Sequence, residues 1–123
     1  MQFDLHITQD KLYFKHYAPD SGFDIAGQHY TTPIRVDNLS VLELDITFEE
    51  INEQVFQPAV YAATPPEIIL IGCGQTQKFL HPAISSNLTQ QKIGIEIMIT
   101  PAALRTFNIL KADNRSVWAW LWP

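Results

Sequence analysis

Two short stretches carry the residue types from which a binding or reactive site could be built. The first is Gly72-Cys73-Gly74-Gln75-Thr76 and the second is Thr100-Pro101, with Arg105 and Asn108 one and two turns further on. Gly72 and Gly74 allow positive φ and close approach of a ligand to the backbone. A helix opening at Thr100 aims free N–H groups and the positive end of its dipole at whatever lies before it. A helix opening at Pro82 should do the same. Together these make a candidate small-anion site, with Arg105 as the partner of a planar anion. The spacing also sets limits on this site. A dinucleotide fingerprint needs a third glycine, and Gln77 stands at that position. No Lys-Ser or Lys-Thr follows, as a phosphate-binding loop requires. Arg105 has a structural alternative, an ion pair with Glu96 or Asp113.

Other reactive types are sparse. Cys73 is the single cysteine. A helix N-terminus beside it would lower its pKa, but no carboxylate lies close in sequence and the nearest histidine is His81. A small packed thiol is the reading that results. His6, His16, His29 and His81 do not pair at metal-ligand spacing, so neither a metal nor a cofactor is expected. Trp118, Trp120 and Trp122 alternate along one strand and therefore share a face. That face is either core beneath the β-rich half or an exposed interaction patch, with Trp122 the most exposed of the three.

These residues need elements to hold them. Glu67 to Gly72 is a continuous apolar run, the pattern of a strand covered on both faces. A helix follows from Pro82 to about Lys92, and Gly94 ends it. Ile95 to Ile99 is the next strand. Thr100 as cap and Pro101 at the first position start a helix that runs to about Ala112. Val117 to Leu121 closes the series as a central strand. Strand, crossover helix and strand imply parallel pairs with right-handed connections. In such a sheet a ligand binds beyond the carboxyl ends of the strands, where residues 72–76 and 100 would meet.

The first half reads as β: Phe3 to Ile7, Leu12 to Tyr17, Phe23 to Tyr30, Ile34 to Val36 and Val41 to Ile46. Thr47-Phe48-Glu49-Glu50 fits a capping box before a short helix to about Gln54. Pro58 to Pro66 reads as a loop. The expected fold is a single α/β domain over residues 1–123, a mixed sheet with helices packed on it.

Composition excludes several classes. The 123 residues include 8 Lys and Arg against 13 Asp and Glu, for a net charge of −5. That is not the basic footprint of a nucleic-acid binder. No apolar run is long enough to insert in a membrane, and the first residues lack the pattern of a signal peptide. A cytoplasmic protein is expected.

Three stretches resemble a known family. Glu67-Ile68-Ile69-Leu70-Ile71-Gly72-Cys73-Gly74 resembles its strand ending in a Gly-x-Gly turn. Ile95 to Thr100, then Ala102 to Leu110, resembles its strand and its Arg-Thr-aromatic-Asn helix. Arg115-Ser116-Val117 and the apolar strand after it match its end. The family is that of the mitochondrial NADH:ubiquinone oxidoreductase (respiratory complex I) assembly factor 3 and its small bacterial and archaeal relatives. The stronger likeness runs from about Glu67 to Pro123, and Phe23 to Val36 is similar less specifically. Cys73 stands where the family usually has Thr, and Phe107 where it has Tyr. The resemblance implies a mixed five-stranded α/β sheet, a non-catalytic role in assembly, and respiratory-complex subunits as protein partners. The alternative from the residues themselves is a binding protein or enzyme for a small anion or small molecule, using residues 72–76, 100 and 105.

Overall fold

The computed structural model describes residues 13–18 and 21–123; the strand expected over Phe3 to Ile7, with His6, lies outside them. Along the described chain run β1 (Phe14–Ala18), β2 (Gly22–Ile25), β3 (Gln28–Tyr30), β4 (Ile34–Val36), β5 (Val41–Glu43), α1 (Gln57–Val60), β6 (Ile68–Cys73), α2 (Pro82–Gln90), β7 (Gly94–Met98), α3 (Thr100–Ala112) and β8 (Val117–Trp122). The main sheet has five strands in the order β5-β4-β8-β6-β7. β6 is parallel to β7 and β8, and β4 is antiparallel to β5 and β8. This is the mixed α/β sheet expected. β8 is central because all six of its residues are apolar and buried.

The two crossovers run in opposite directions. From β6 the chain steps outward to β7, and from β7 it returns past β6 to β8. With right-handed connections such a reversal puts the two helices on opposite faces. The packing agrees: Ile84 and Leu88 of α2 share a core with Ile69 and Ile71, whereas Ala103, Leu104 and Phe107 of α3 share one with Leu70, Ala119 and Leu121. A small antiparallel sheet, β1-β2-β3, completes the α3 side, with the Phe14 and Phe107 rings edge to face at 5.4 Å.

Three local expectations change. The single strand read over Phe23 to Tyr30 is a hairpin that turns at Ala26-Gly27, whose φ values are 55° and 75°. Two positive φ values make the turn type that matches strand twist, for which Asn-Gly is the usual signal. An Ala in this conformation costs roughly 1–2 kcal/mol. Ala26→Asn is therefore expected to raise the unfolding free energy by about 0.5–1 kcal/mol. Urea denaturation measures it, and an unmoved midpoint would mean that the turn bears no strain.

The helix expected from Phe48 to Gln54 is broken. A 3-10 turn at Phe48–Glu50 stops, and the Asn52 side chain accepts from the Gln54 N–H at 2.9 Å to start a second turn, Glu53–Phe56, which runs on into α1. Pro58 sits in the first turn of α1, where its missing N–H costs nothing, rather than opening a loop.

Candidate functional site

β6 delivers the chain to the α2 face and β7 delivers it to the α3 face. The gap between their carboxyl ends is thus the position at which a sheet of this kind holds a ligand. Here the chain fills it. The Gly74 N–H donates to Thr100 Oγ1 at 2.8 Å, the Thr100 N–H donates to the Gly74 carbonyl at 2.8 Å, and the Thr100 hydroxyl donates to the Trp122 carbonyl at 2.5 Å. Thr100 is fully buried. One threonine therefore ties the ends of β6 and β8 to the start of α3.

This corrects the reading of Thr100 as a helix cap. Its hydroxyl spans the edge instead of turning back on its own helix, and the cap position falls on Ile99, which has no side-chain acceptor. The helix N-terminus is also less open than expected. The Thr100 N–H is taken by Gly74, and Pro101 has none to offer. At α2 the His81 ring accepts from the Ala83 N–H at 3.1 Å.

The glycines serve the same closure. A Cβ on Gly72 would lie 2.9 Å from a Leu121 methyl, 3.0 Å from Thr100 Oγ1 and 3.2 Å from the Ala103 Cβ. What approaches this backbone closely is α3. Gly74 turns the chain with φ +100°. Cys73 is buried, and its sulfur accepts from the Lys78 N–H at 3.3 Å and donates to the Thr76 carbonyl at 3.4 Å. It closes the turn after β6 as a packed thiol. Gln75 and Thr76 are exposed. The Gln75 amide donates to the Tyr17 hydroxyl. Burial raises the Tyr17 phenol above its ordinary pKa, and this hydrogen bond offsets part of the rise.

Arg105 and Asn108 lie elsewhere, against β1. Asn108 accepts from the Phe14 N–H and donates to the Phe14 carbonyl, both at 2.9 Å, as a neighbouring strand would. It fastens the small sheet to α3. Asn108→Leu keeps the volume and strands both Phe14 groups, at an expected cost of about 1.5–3 kcal/mol. Hydrogen exchange at the Phe14 amide is the sharpest readout; protection equal to wild type would show the clamp to be idle. Arg105 is exposed, and among the described residues no carboxylate lies within ion-pair distance of it, so the expected pairing with Glu96 or Asp113 is not formed. It lines a groove of about 260 Å³ with Lys15, Phe14, Tyr17, Pro101 and Asn108.

The three tryptophans share a face, and that face is core rather than an exposed patch, buried against α2, the 48–60 segment and Leu44 and Ile46 at the end of the β-rich half. Trp122, expected to be the most exposed, is 6% exposed and donates its indole N–H to the Ile46 carbonyl at 3.0 Å. Register explains the choice of side. The small residue Ala119 alternates with the indoles, and α3 packs on the side of the strand that bears it. The Trp120 and Phe56 rings meet at 4.9 Å, and the Arg35 guanidinium lies 5.4 Å from the centre of the Trp118 ring.

A larger groove, of about 450 Å³, was not legible beforehand. It lies between the turn after β6 and Phe48–Glu50, lined by Phe48, Glu49, Lys78, Phe79, His81 and Ile84 among others. Lys78 Nζ donates to Glu49 at 2.8 Å and stands 5.4 Å from the centre of the Phe48 ring. This bond holds the Glu49 carboxyl below its usual range. The one sequence signal was Phe79, an apolar residue in a polar turn.

Comparison with known proteins places this geometry in context. Residues 15–122 match a family model described as "Protein of unknown function (DUF498/DUF598)". The chain is 28% identical over 113 residues to the NADH dehydrogenase (ubiquinone) 1 alpha subcomplex assembly factor 3 of Mus musculus, covering 91% of this chain and 60% of that protein. It thus spans about three fifths of that relative's length. It is 28% identical over 110 residues to the 13 kDa major membrane protein of Francisella tularensis, covering 89% of each. A crystal structure of a Bordetella parapertussis protein superposes with a TM-score of 0.80 at 28% identity, over 90% of this chain and 94% of that one. An outer membrane protein from Bartonella henselae superposes at 0.75 with 27% identity, over 89% and 98%. Among the described residues no helix is long and apolar enough to cross a membrane. With the match reaching from β1 to the last residue of β8, this chain belongs to the DUF498/DUF598 family.

Proposed function

We propose that this chain is a non-catalytic docking protein of the cytoplasm that helps a respiratory NADH dehydrogenase-type complex assemble. The observation that carries the reading is the closure of the sheet's ligand-binding edge. Thr100, Gly74 and Trp122 satisfy one another where a substrate would otherwise sit, which supports a role carried by the outer surfaces. The assembly factor among its relatives supports the kind of partner. On this reading residues 1–123 act as one folding unit. The test is co-purification of the tagged protein from its own cells in mild detergent, with quantification of NADH dehydrogenase subunits. Enrichment over an untagged control is the expected result. No enrichment, with normal assembly of the complex in a deletion strain, would end the proposal.

A second reading has one specific observation behind it: Lys15 and Arg105, two cations, line one groove. A small carboxylate or phosphate would fit their charge. Of the residues first considered for this role, only Arg105 and Asn108 line that groove. Millimolar phosphate or citrate should then raise the melting temperature of the wild type and leave Arg105→Ala unmoved. Equal response in both proteins rules this reading out.

A further inference from the structure

The charge of this chain is unevenly placed. Residues 36–77 contain seven Asp and Glu and no Lys or Arg, while the rest of the chain carries six carboxylates against eight Lys and Arg. The whole net negative charge therefore comes from one stretch. Part of that stretch forms one bank of a trough, and α2, which has no charged residue, forms the other. The 450 Å³ groove described above is the upper part. A second groove of about 180 Å³ continues it between Glu53, Gln57 and Tyr61 on one side and Asn87 and Leu88 on the other. Ile84 lines both grooves and is the wall they share. Phe79 stands at one end, 76% exposed, and Tyr61 at the other, 78% exposed. Glu49 and Glu53 line the acidic bank, and the one Lys among the lining residues, Lys78, is paired with Glu49.

We propose that this trough docks a segment of a partner protein that alternates apolar residues with Lys or Arg. Phe48, Ile51 and Ile84 in the upper groove and the two aromatic ends supply apolar contact of the kind that anchors interfaces, and the lower groove adds amide and carboxylate groups. Glu53 supplies complementary charge, Glu49 can exchange its Lys78 partner for an incoming cation, and the neutral α2 bank leaves the cation's choice of side to these two. A second copy of this chain is a poor occupant, because the one Lys lining this face is already paired with Glu49 and the face offers no free cation to meet Glu53. The nine residues of α2 span about 13 Å, which matches about four extended residues or two helical turns of the partner. The inference rests on the docking role proposed above and names the surface and the chemistry of the partner.

The probe is a fluorescein-labelled 12-residue peptide alternating Leu and Phe with Lys, beside the same peptide with every Lys replaced by Glu. Fluorescence anisotropy should show binding of the first only. Affinity should fall at least tenfold in a Phe79→Ala/Tyr61→Ala protein. It should fall about fivefold, with a shallower salt dependence, in Glu49→Gln/Glu53→Gln. Glu96→Gln and Ile109→Ala, which change exposed residues on other surfaces, should bind as wild type. Circular dichroism melts confirm that each variant is folded. Wild-type affinity in the trough variants, or an equal loss in Glu96→Gln, overturns the proposal by making the binding diffuse. So does a concentration-dependent dimer in sedimentation that Phe79→Ala abolishes, since the occupant would then be a second copy. The same variants carried through the co-purification separate the two ideas. Undiminished recovery of NADH dehydrogenase subunits by the trough variants overturns the trough and keeps the assembly role. A wild type that binds the Lys peptide but recovers no subunits overturns the assembly role and keeps the trough.

Discussion

A Trp120→Ala protein should unfold with about 3–5 kcal/mol less free energy than the wild type. Trp120 is 1% exposed and sits at the middle of the central strand, opposite Arg35 on β4 and Ile71 on β6. Its ring meets Phe56 edge to face at 4.9 Å and stacks beside Trp118 at 6.1 Å. A buried indole hides roughly 150–250 Å², which at about 25 cal/mol per Å² is worth about 4–6 kcal/mol. The neighbours are a strand on each side and packed aromatics above, so they have little freedom to collapse into the space. A loss of this size is a large part of the roughly 5–15 kcal/mol that holds a domain folded. Urea denaturation followed by far-UV circular dichroism measures it. A shift under about 1 kcal/mol would show that this core repacks freely and that the indole is not its keystone.

The second large effect is expected at the closed edge. Thr100→Val keeps the shape of the side chain and removes one hydroxyl, yet that hydroxyl serves two buried partners, the Gly74 N–H and the Trp122 carbonyl. Each is left without its threonine partner out of water, and each such group costs about 1–3 kcal/mol. The expected loss is about 2–4 kcal/mol. Thr100→Ser separates this from a packing effect, since it keeps the hydroxyl and drops only a methyl group. Recovery of most of the stability by serine is the expected outcome. Equal losses in the two variants would assign the role to the methyl group and remove the hydrogen bonds from the account.

The second half of the fold was readable because its signals are long and concordant. Ile68 to Ile71 reads as a strand buried on both faces, and Pro101 marks the start of a helix found over Thr100–Ala112, one residue earlier than a Thr100 cap implies. The β2-β3 turn was hidden because Ala26 takes a conformation that its residue type does not advertise. The break after Glu50 was hidden because it depends on one side-chain hydrogen bond from Asn52. At the site, residue type misled in a consistent way. Glycine beside a strand end, threonine before proline, and arginine with asparagine on one helix face each suit a ligand as well as they suit a neighbouring segment. Thr100 finds Gly74 and Trp122 more than twenty residues away in opposite directions, and no local pattern contains that information. Strand alternation put the three tryptophans on one face, but which helix covers that face follows from the reversal of the crossovers. The trough joins residues 48–61 to residues 78–91, so its outline needed the fold.

The position of β8 also bears on how quickly the molecule can form. In the main sheet β4 and β5 make one pair and β6 and β7 another, and β8 alone lies between the two pairs. A lone pair of strands is marginally stable in water. Neither pair persists by itself, and the strand that joins them is encoded after both. Its partners on β4 lie more than eighty residues back along the chain. Closing so long a loop comes before the contacts that reward it. Refolding is therefore expected to be a single cooperative step in roughly milliseconds to seconds, not microseconds, with a transition state in which β8 has already begun to bridge the halves.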